Sequence, residues 1–387
     1  MRILFGSDFH GTIFQIVSFF NAVRYIRADL VLLGGDYLPR RGHGKRAILI
    51  LGNADFAALI PAFREELAKI SRPDRPIRLL INERVVLPSA HPGPTCPDLE
   101  ITGMSYVPMM GHHLKDWQAL DLPTTDVDIP TSEYPPPNTT FEAVTQRHAV
   151  VAPPSSRRGP PAVFTAADLD GGVVSVREGS QYQIVGVTRY REACLAQGRV
   201  IESTLAAIFK SPVEGAPPSA AAPLRLWVSH APARGLLDFS RHGGPVGSVA
   251  LRRAIPAHKP HMLFTGHIHE AVAFADRTLA RVGWTSDPDS PPPAGPAATL
   301  GDLAVLSADG YLLEGCPPAE TPAEATGEWP AATFCYSSGN RNGEGQPLVC
   351  VLVDTARPER PHLVVVSPRT RSQAQPQPAA PPRPAAN

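Results

Sequence analysis

Acidic, amide and imidazole side chains follow directly after five short apolar runs of this sequence. The runs and their polar ends are ILFGSDFH, LVLLGGDY, ILILGNAD, LRLWVSH and HMLFTGHIH. The polar residues that they carry are Asp8, His10, Asp36, Asn53, His230, His267 and His269. In open α/β sheets, ligands bind beyond the carboxyl ends of the strands. These seven side chains therefore predict a single site at such an edge.

The types of these side chains predict that the site holds metal. Two carboxylates, one amide and four imidazoles supply nitrogen and oxygen donors without sulfur, a set that suits Mn²⁺, Fe or Zn²⁺. Asp8 and His10 are two residues apart, as are His267 and His269, so in extended backbone each pair would point to one side. Seven donors exceed the needs of one four-coordinate ion. They suit two ions about 3.5–4 Å apart that share a carboxylate.

Each of these features has an ordinary structural explanation when it is taken alone. A D-x-H sequence is common, and Asp36 after two glycines could be a turn residue or a helix cap. The ordered set of five strand ends is far more specific than any single member. Without a shared site, seven polar groups would have to follow five strands for unrelated reasons.

The elements around these residues predict an α/β fold. Apolar runs at Ile3–Phe5, Leu30–Leu33 and Ile48–Leu51 are predicted to be buried strands. Apolar residues at helical spacing predict helices over Ile13–Ile26 and Phe56–Ile70. Strand, helix and strand in short order indicate βαβ units in one sheet.

The rest of the chain is predicted to add elements to one domain. They are strands or hairpin arms at Ile77–Leu87 and Leu99–Val107, a hairpin at Val173–Val187, a helix at Tyr190–Lys210, and short strands at Leu224–Val228 and His261–Thr265. Many of the 44 prolines fall in loops. We expect one domain over residues 1–366, with insertions at about 121–210 and 286–332, and a disordered Pro/Ala-rich tail at 367–387.

Composition argues against several classes of function. Lys plus Arg and Asp plus Glu both count 36, so the chain lacks the broad positive field that drives non-specific nucleic-acid binding. A local basic patch is still compatible with this balance, but nucleic acid is not an expected partner. The five cysteines form no C-x-x-C pair, which argues against a disulfide framework or a thiolate zinc site. The amino-terminal apolar run is too short for a signal peptide, and no stretch approaches the ~20 apolar residues of a membrane span. We expect a soluble, cytoplasmic protein with no membrane partner.

The motifs resemble those of the calcineurin-like metallophosphoesterase superfamily. Its pattern is D-x-H, G-D, G-N-[HC]-[DE], H and G-H-x-H, and the match spans Ile3 to about Glu270. The matching segments are Asp8-Phe9-His10, Gly35-Asp36, Gly52-Asn53-Ala54-Asp55, His230 and Gly266-His267-Ile268-His269. The stretches GMSYVP, LKDW and GHIHE are similar to the bacterial and archaeal predicted-phosphoesterase branch.

The resemblance implies a four-layer α/β/β/α sandwich with two central mixed sheets and a two-metal site. It implies that the first ion is held by Asp8, His10, Asp36 and His269, and the second by Asp36, Asn53, His230 and His267, with Asp36 bridging. Asp36, Asn53 and His230 would act through the metals and a bound hydroxide. The expected cofactors are two divalent ions, Mn, Fe or Zn, with Mn²⁺ favoured. The expected activity is hydrolysis of a small phosphorylated substrate, above all a phosphodiester.

Ala54 departs from the family pattern. Members with histidine at this position use it near the leaving-group oxygen, and alanine has no proton to give. Because general acid catalysis is worth about 10²–10⁴-fold, the loss should weigh most on poor leaving groups. His112, His113 and His242 are candidate substitute acids, although surface loops also commonly carry histidine.

Two other functions and several ordinary structural roles compete with this hypothesis. The chain could be a catalytically weak or inactive metal-binding scaffold on the same fold, or a phosphoprotein phosphatase. Asp55 is expected at a helix amino terminus. Ser248 is expected to cap a helix whose amides could otherwise hold a phosphate. Arg252 and Arg253 are expected to be solvated, and Trp117 to be buried in a structural turn.

Overall fold

The chain forms an α/β structure with two mixed sheets and few helices. The computed structural model describes residues 1–10, 12–36, 46–52, 55, 57–72, 76–88, 98–108, 117–122, 173–178, 181–213, 222–240, 244–269, 279–285, 303–306, 312–315, 331–340 and 347–368. Among the helices in these ranges, none combines the length and the apolar character that crossing a membrane requires.

The described ranges contain five α-helices and twenty strands. The helices are α1 (Ile13–Ile26), α2 (Ile60–Ile70), α3 (Val187–Ala196), α4 (Ile201–Lys210) and α5 (Val249–His258). The first ten strands are β1 (Arg2–Gly6), β2 (Leu30–Leu33), β3 (Arg46–Leu49), β4 (Ile77–Leu79), β5 (Glu83–Leu87), β6 (Leu99–Met104), β7 (Val107–Pro108), β8 (Gln118–Ala119), β9 (Val173–Glu178) and β10 (Gln181–Gly186). The others are β11 (Leu224–Ser229), β12 (Phe239–Ser240), β13 (Gly244–Pro245), β14 (Met262–Thr265), β15 (Leu279–Gly283), β16 (Leu303–Leu306), β17 (Leu312–Gly315), β18 (Ala332–Ser337), β19 (Leu348–Asp354) and β20 (His362–Val366).

Most of the strands form two large sheets that each mix parallel and antiparallel pairs. The first has the order β17-β16-β20-β19-β1-β2-β3-β4, and the second has the order β15-β18-β14-β11-β6-β5. Strands β1 to β4 run parallel to one another, as do β6, β11, β14 and β18. The carboxyl ends of β1, β2 and β3 therefore share one edge of the first sheet, and those of β11 and β14 share one edge of the second.

Apolar side chains from the two sheets pack against each other. Phe5 of β1, Phe264 of β14 and Tyr336 of β18 belong to this core. The rings of Phe5 and Phe264 lie 5.3 Å apart between centroids, and those of Phe264 and Tyr336 lie 5.0 Å apart. Aromatic pairs at such distances stabilise a core beyond the burial of their area. This contact fixes the two sheets face to face.

The other face of each sheet is covered by helices, because alternate residues of a strand point to opposite faces. Leu4 of β1 packs in one cluster with Phe19 of α1 and Leu67 of α2. Trp227 of β11 packs in another cluster with apolar residues of α4 and α5, such as Ile255. Each sheet thus packs against the other sheet on one face and against helices on its opposite face.

The structure departs from the sequence predictions in two helices. The single helix predicted over Tyr190–Lys210 is wrong, because α3 ends at Ala196 and α4 begins at Ile201. Gly198 in the connection has a φ of 66°, a left-handed conformation that glycine adopts readily and that ends a helix. The expectation that Arg252 is solvated is also wrong, because this residue is 3% exposed on α5.

Other predictions are confirmed or fall outside the described ranges. The hairpin predicted over Val173–Val187 forms as β9 and β10. Part of the stretch predicted as an insertion at 286–332 adds β16 and β17 to the first sheet. Cys194, Cys335 and Cys350 are buried free thiols. From residue 369 onward the predicted tail lies outside the described residues.

His261, which directly precedes β14, should make the free energy of unfolding sensitive to acid. His261 Nδ1 accepts a hydrogen bond from the Arg225 backbone N–H at 3.0 Å, and burial and Arg225 lower the pKa of His261 from 6.5 to about 4. The imidazole of His261 therefore takes up a proton at a higher pH in the unfolded chain than in the folded protein. The contribution of His261 to stability is fully present above pH 6.5 and is lost as the pH falls towards 4. Because His261 is partly exposed and solvent weakens the effect, the free energy of unfolding should fall by about 1 kcal/mol between pH 7 and pH 5.

The matched control is His261→Asn, whose side-chain oxygen can accept the same bond without titrating. Urea unfolding at pH 7 and pH 5 should show a smaller loss of stability for this variant than for the wild type. Equal losses in the two proteins would exclude His261 as the source.

Candidate metal centre

Six of the seven predicted ligands lie in the described residues and follow the strand ends as expected. Asp8 and His10 follow β1, Asp36 follows β2, His230 follows β11, and His267 and His269 follow β14. The predicted ligand Asn53, the adjacent Ala54 and the candidate acids His112, His113 and His242 lie outside the described residues. The six described residues come together where the edges of the two sheets meet.

Strained backbone is concentrated at this site. Of the eight described non-glycine residues with positive φ, half are predicted ligands, namely Asp8 (60°), His10 (46°), Asp36 (55°) and His267 (67°). Such conformations cost about 1–3 kcal/mol each and persist where the surroundings enforce them, often at functional sites. The expectation of extended backbone at the D-x-H and H-x-H pairs is therefore wrong, because tight turns and not a strand aim these side chains.

Asp8, His10 and His269 form one group of possible metal ligands. His10 Nε2 lies 3.1 Å from His269 Nε2. His269 Nε2 lies 3.4 Å from Asp8 Oδ1, and His10 Nε2 lies 3.9 Å from the same oxygen. Three donor atoms thus face one small space.

Asp8, Asp36 and His230 form a second group, so the two groups share Asp8. His230 Nε2 lies 3.6 Å from Asp36 Oδ2 and 4.0 Å from Asp8 Oδ1. Asp36 Oδ2 is also 3.6 Å from His10 Nδ1, which belongs to the first group. The resemblance implies that Asp36 is the bridge, but the residue common to both groups is Asp8. Asp36 approaches the first group only through His10 Nδ1, whereas His10 Nε2 faces Asp8 and His269.

His267 lies beside the second group but is not one of its members. Its ring centroid is 5.1 Å from that of His230. Its backbone N–H donates a hydrogen bond to Asp8 Oδ2 at 2.9 Å. The turn that carries His267 therefore also orients the Asp8 carboxylate.

These residues fit a divalent metal. Asp8 is fully buried, and among the residues that the structure describes none makes a hydrogen bond to its Oδ1. A buried, unsatisfied carboxylate oxygen is costly unless a cation compensates it. Two donors bound to one ion at about 2.1 Å are separated by about 3.0–3.4 Å, and the closest donor pairs here are separated by 3.1 and 3.4 Å.

The charges at the site also favour cations. Burial opposes the ionisation of Asp8, but the imidazoles of His269 and His230 outweigh it and lower the pKa of this carboxyl. Burial, together with His230, lowers the pKa of His267 to about 3, so its imidazole is neutral. Burial of His230 is outweighed by Asp36 and Asp8, which raise its pKa to about 9. A metal bound by His230 would therefore displace a proton.

The ring of His230 is oriented by a backbone carbonyl. Its Nδ1 lies 2.7 Å from Gly34 O. Since a carbonyl oxygen only accepts, Nδ1 carries a proton, and Nε2, which faces Asp36 and Asp8, is the nitrogen that would bind a metal once its own proton is displaced. Partners of this kind fix the tautomer of histidines that bind metals.

Asp55 holds two of the loops that carry ligands. Its Oδ2 accepts hydrogen bonds from the N–H of Asp36 at 2.9 Å and of Gly52 at 2.8 Å. Trp117, which is buried as predicted, donates from Nε1 to the Asp55 carbonyl. Asp55 lies just before the 3₁₀ helix Ala57–Leu59 that leads into α2, but the expectation that it stabilises a helix amino terminus is not confirmed, because its carboxylate accepts from the loops of Asp36 and Gly52. Burial and the Asp36 carboxylate raise the pKa of Asp55 to about 8.

The amino terminus of α5 is already occupied. Ser248 caps it by accepting a hydrogen bond from Leu251 N, as predicted. The carboxylate of Asp121 accepts hydrogen bonds from the N–H groups of Val249 and Ala250. A substrate phosphate would have to displace this carboxylate, so α5 is not a phosphate site.

Gly266 packs directly against the loop that carries Asp8, and this gives a test. A Cβ at this position would overlap Ser7 Oγ and Asp8 Oδ2. Gly266→Ala should therefore cost about 1–3 kcal/mol of stability and weaken Mn²⁺ binding, because the Asp8 carboxylate must move. Gly198→Ala is the control: its Cβ meets nothing within 4 Å, and its φ of 66° disfavours alanine, so this variant loses some stability away from the predicted ligands. Isothermal titration with Mn²⁺ should show weaker binding for Gly266→Ala only; unchanged binding in both would contradict this packing.

A groove of about 910 Å³ lies beside α2, β4 and β5, and none of the predicted ligands lines it. The described residues that line it include four arginines and one acidic residue, namely Arg64, Arg72, Arg78, Arg84 and Glu83. The net charge of zero gave no indication of this basic cluster. Among the described residues that line the groove, no group of metal-ligating side chains is found.

Comparisons with known proteins do not show a family. No protein-family model and no curated protein matches the chain. Among solved structures, it is similar to TT1561 of Thermus thermophilus, with 9% identity, a TM-score of 0.39, and coverage of 94% of this chain and 97% of that one. A second solved chain has 10% identity with the same coverage and TM-score. Similarity at this level carries no argument about function.

Proposed function

We propose that this protein is a two-metal phosphoesterase of the calcineurin-like superfamily that acts mainly on phosphodiesters. In this proposal the two sheets and their helices are the four-layer α/β/β/α sandwich expected from the sequence motifs. The cofactors are two divalent ions, with Mn²⁺ favoured. The substrate is small and phosphorylated.

One observation carries the proposal: two groups of donors, in which Asp8, Asp36 and His230 are buried and His10 and His269 are half-buried, share Asp8 at the carboxyl ends of the strands. The shared carboxylate is the arrangement that a pair of ions requires. In a scaffold that had lost its metals, Asp8 Oδ1 would be compensated by the imidazoles of His269 and His230 alone, because no described residue makes a hydrogen bond to it. For this reason we favour an active metal centre over an inactive scaffold.

The residues of the site have distinct roles in this proposal. Asp8 and Asp36 supply the negative charge that holds cations in a buried place. His10 and His269 complete the first group of ligands, and His230 completes the second. The contact with the Gly34 carbonyl orients the ring of His230. When bound, the two ions would activate water and neutralise the charge that builds on the phosphoryl oxygens.

The direct test is a substrate screen with added Mn²⁺. Purified protein should be assayed with 4-nitrophenyl phosphate, bis(4-nitrophenyl) phosphate and cyclic nucleotides. We expect turnover of the aryl diester above all. Turnover of none of the three would favour the scaffold function, and turnover of the monoester alone would contradict the diester preference.

Ala54 predicts how the preference could be changed. Ala54→His should supply the proton donor that the motif lacks, so it should raise monoester hydrolysis more than diester hydrolysis. We expect the ratio of the two kcat/KM values to shift by at least about tenfold towards the monoester. Ala54→Gln is the matched control, since it adds a side chain without a titrating acid. An equal change for both substrates would contradict the leaving-group explanation.

A further inference from the structure

The segment Ser338–Asn340 lies between the two loops that carry the first group of ligands. It follows β18, whose neighbour in the sheet is β14, the strand that leads to His267 and His269. Gly339 also forms a bridge with Ser7, the residue before Asp8. This short segment therefore touches both the Asp8 loop and the His269 loop.

Asn340 ties the segment to the Asp8 loop through its side-chain amide. The two N–H groups of its Nδ2 are shared among three carbonyl oxygens, those of Ser7 at 2.8 Å, Ser338 at 3.0 Å and Val349 at 3.0 Å. Its Oδ1 accepts from Val349 N–H at 2.7 Å, and this contact fixes which way round the amide sits. The side chain is 1% exposed, so the contacts are sheltered from water. The carbonyl of Ser7 is part of the peptide group that enters Asp8.

Gly339 ties the segment to the loop between His267 and His269. A Cβ on Gly339 would overlap the Ile268 carbonyl oxygen and lie 2.7 Å from its carbon. The Ser338 N–H donates to Thr265 O at 3.2 Å, at the end of β14. Only glycine allows the backbone of the segment to pack this closely against the H-x-H turn.

The strain at the site requires such support. Asp8, His10 and His267 all hold positive φ values, and these persist only where the surroundings over-determine them. A metal site also needs its donors held within about 0.5 Å of the working geometry. The ligand loops come from different sheets, so a contact that joins both loops is the most direct way to set their separation.

We propose that Ser338–Asn340 is a brace that sets the spacing of Asp8 and His10 from His269, with Asn340 as its positioning residue. Asn340 does not bind the metal; it acts through the peptide group of Ser7. The inference rests on the proposed metal centre and extends it to a segment about 70 residues beyond the last ligand motif.

The test compares Asn340→Ala with Tyr336→Phe by Mn²⁺ binding in equilibrium dialysis. Tyr336 lies on β18, the strand that leads into Ser338–Asn340. Its hydroxyl donates a buried hydrogen bond to Pro358 O at 2.6 Å, away from the ligand loops. Both variants lose buried hydrogen bonds, but only Asn340→Ala loosens the brace. Loss of a group that supports a ligand costs about 10–100-fold in metal affinity. We therefore expect at least about tenfold weaker Mn²⁺ binding for Asn340→Ala and wild-type affinity for Tyr336→Phe.

Unchanged affinity in Asn340→Ala, or an equal loss in Tyr336→Phe, would overturn the brace. If Asn340→Ala does not fold, Asn340→Ser serves instead, since its hydroxyl can still donate to one carbonyl, and an affinity between wild type and tenfold loss is expected. Wild-type affinity for this folded serine variant would likewise overturn the brace. The measurement also separates the two claims. Wild-type protein that binds no Mn²⁺ would remove the metal centre and the brace together, whereas wild type that binds Mn²⁺ but hydrolyses no ester would remove only the proposed function.

Discussion

Asp36→Asn should lower Mn²⁺-dependent hydrolysis of bis(4-nitrophenyl) phosphate by more than about 100-fold. Loss of a group that merely supports a ligand costs about 10–100-fold, and loss of a ligand should cost more. Asp36 Oδ2 lies 3.6 Å from both His10 Nδ1 and His230 Nε2, so its charge acts on both donor groups. Asparagine keeps the shape of the side chain and removes the charge. The measurement is kcat/KM at saturating Mn²⁺, together with bound metal per chain by elemental analysis.

Glu66→Gln is the matched control, because it makes the same acid-to-amide change on an exposed face of α2. This variant should keep wild-type activity and metal content. If Asp36→Asn kept its activity as well, Asp36 could not be a ligand of a catalytic metal. Circular dichroism of both variants checks that the fold is retained.

Asp55→Ala should destabilise the protein by about 2–5 kcal/mol and weaken Mn²⁺ binding by about 10–100-fold. The stability is lost because two buried N–H groups, those of Asp36 and Gly52, would have no acceptor. The affinity is lost because these N–H groups belong to the loops that present Asp36 and lead into Asn53. Urea unfolding and Mn²⁺ titration measure the two effects separately.

Asp238 offers a control with nearly the same geometry outside the metal site. It is also buried, and its Oδ2 accepts from the N–H of Gly235 at 3.0 Å and of Gly247 at 2.8 Å. Asp238→Ala should therefore lose a similar amount of stability but keep the Mn²⁺ affinity of the wild type. If both variants lost affinity equally, the effect of Asp55 would be global and not local to the site.

The positions of the ligands could be predicted from the sequence because the signal is local. An apolar run that ends on glycine and a polar residue marks a strand end, and parallel strands bring such ends to one edge. Asp8, Asp36 and His230 were found in this way, and the structure places them within one group. The βαβ order near the amino terminus was predictable for the same reason, since each element has its own apolar period.

The supports of the site could not be predicted, because they depend on contacts that are distant in sequence. Asn340 reaches Ser7 across 333 positions, and no spacing rule links them. The segment CYSSGN does repeat the pattern of an apolar strand followed by glycine and an amide, so a wider search for that pattern would have found it. The positive φ values at Asp8 and His267 were also hidden, because tertiary contacts enforce them against local preference.

The central claim is that two bound ions make this edge of the sheets a site of ester hydrolysis. Its most direct test is a titration of chelator-treated protein with Mn²⁺, followed by the initial rate of bis(4-nitrophenyl) phosphate hydrolysis against bound Mn²⁺ per chain. We predict no activity without metal and a rate that rises to its plateau as the second equivalent binds. Full activity in the metal-free protein, or no hydrolysis with two equivalents bound, would contradict the claim.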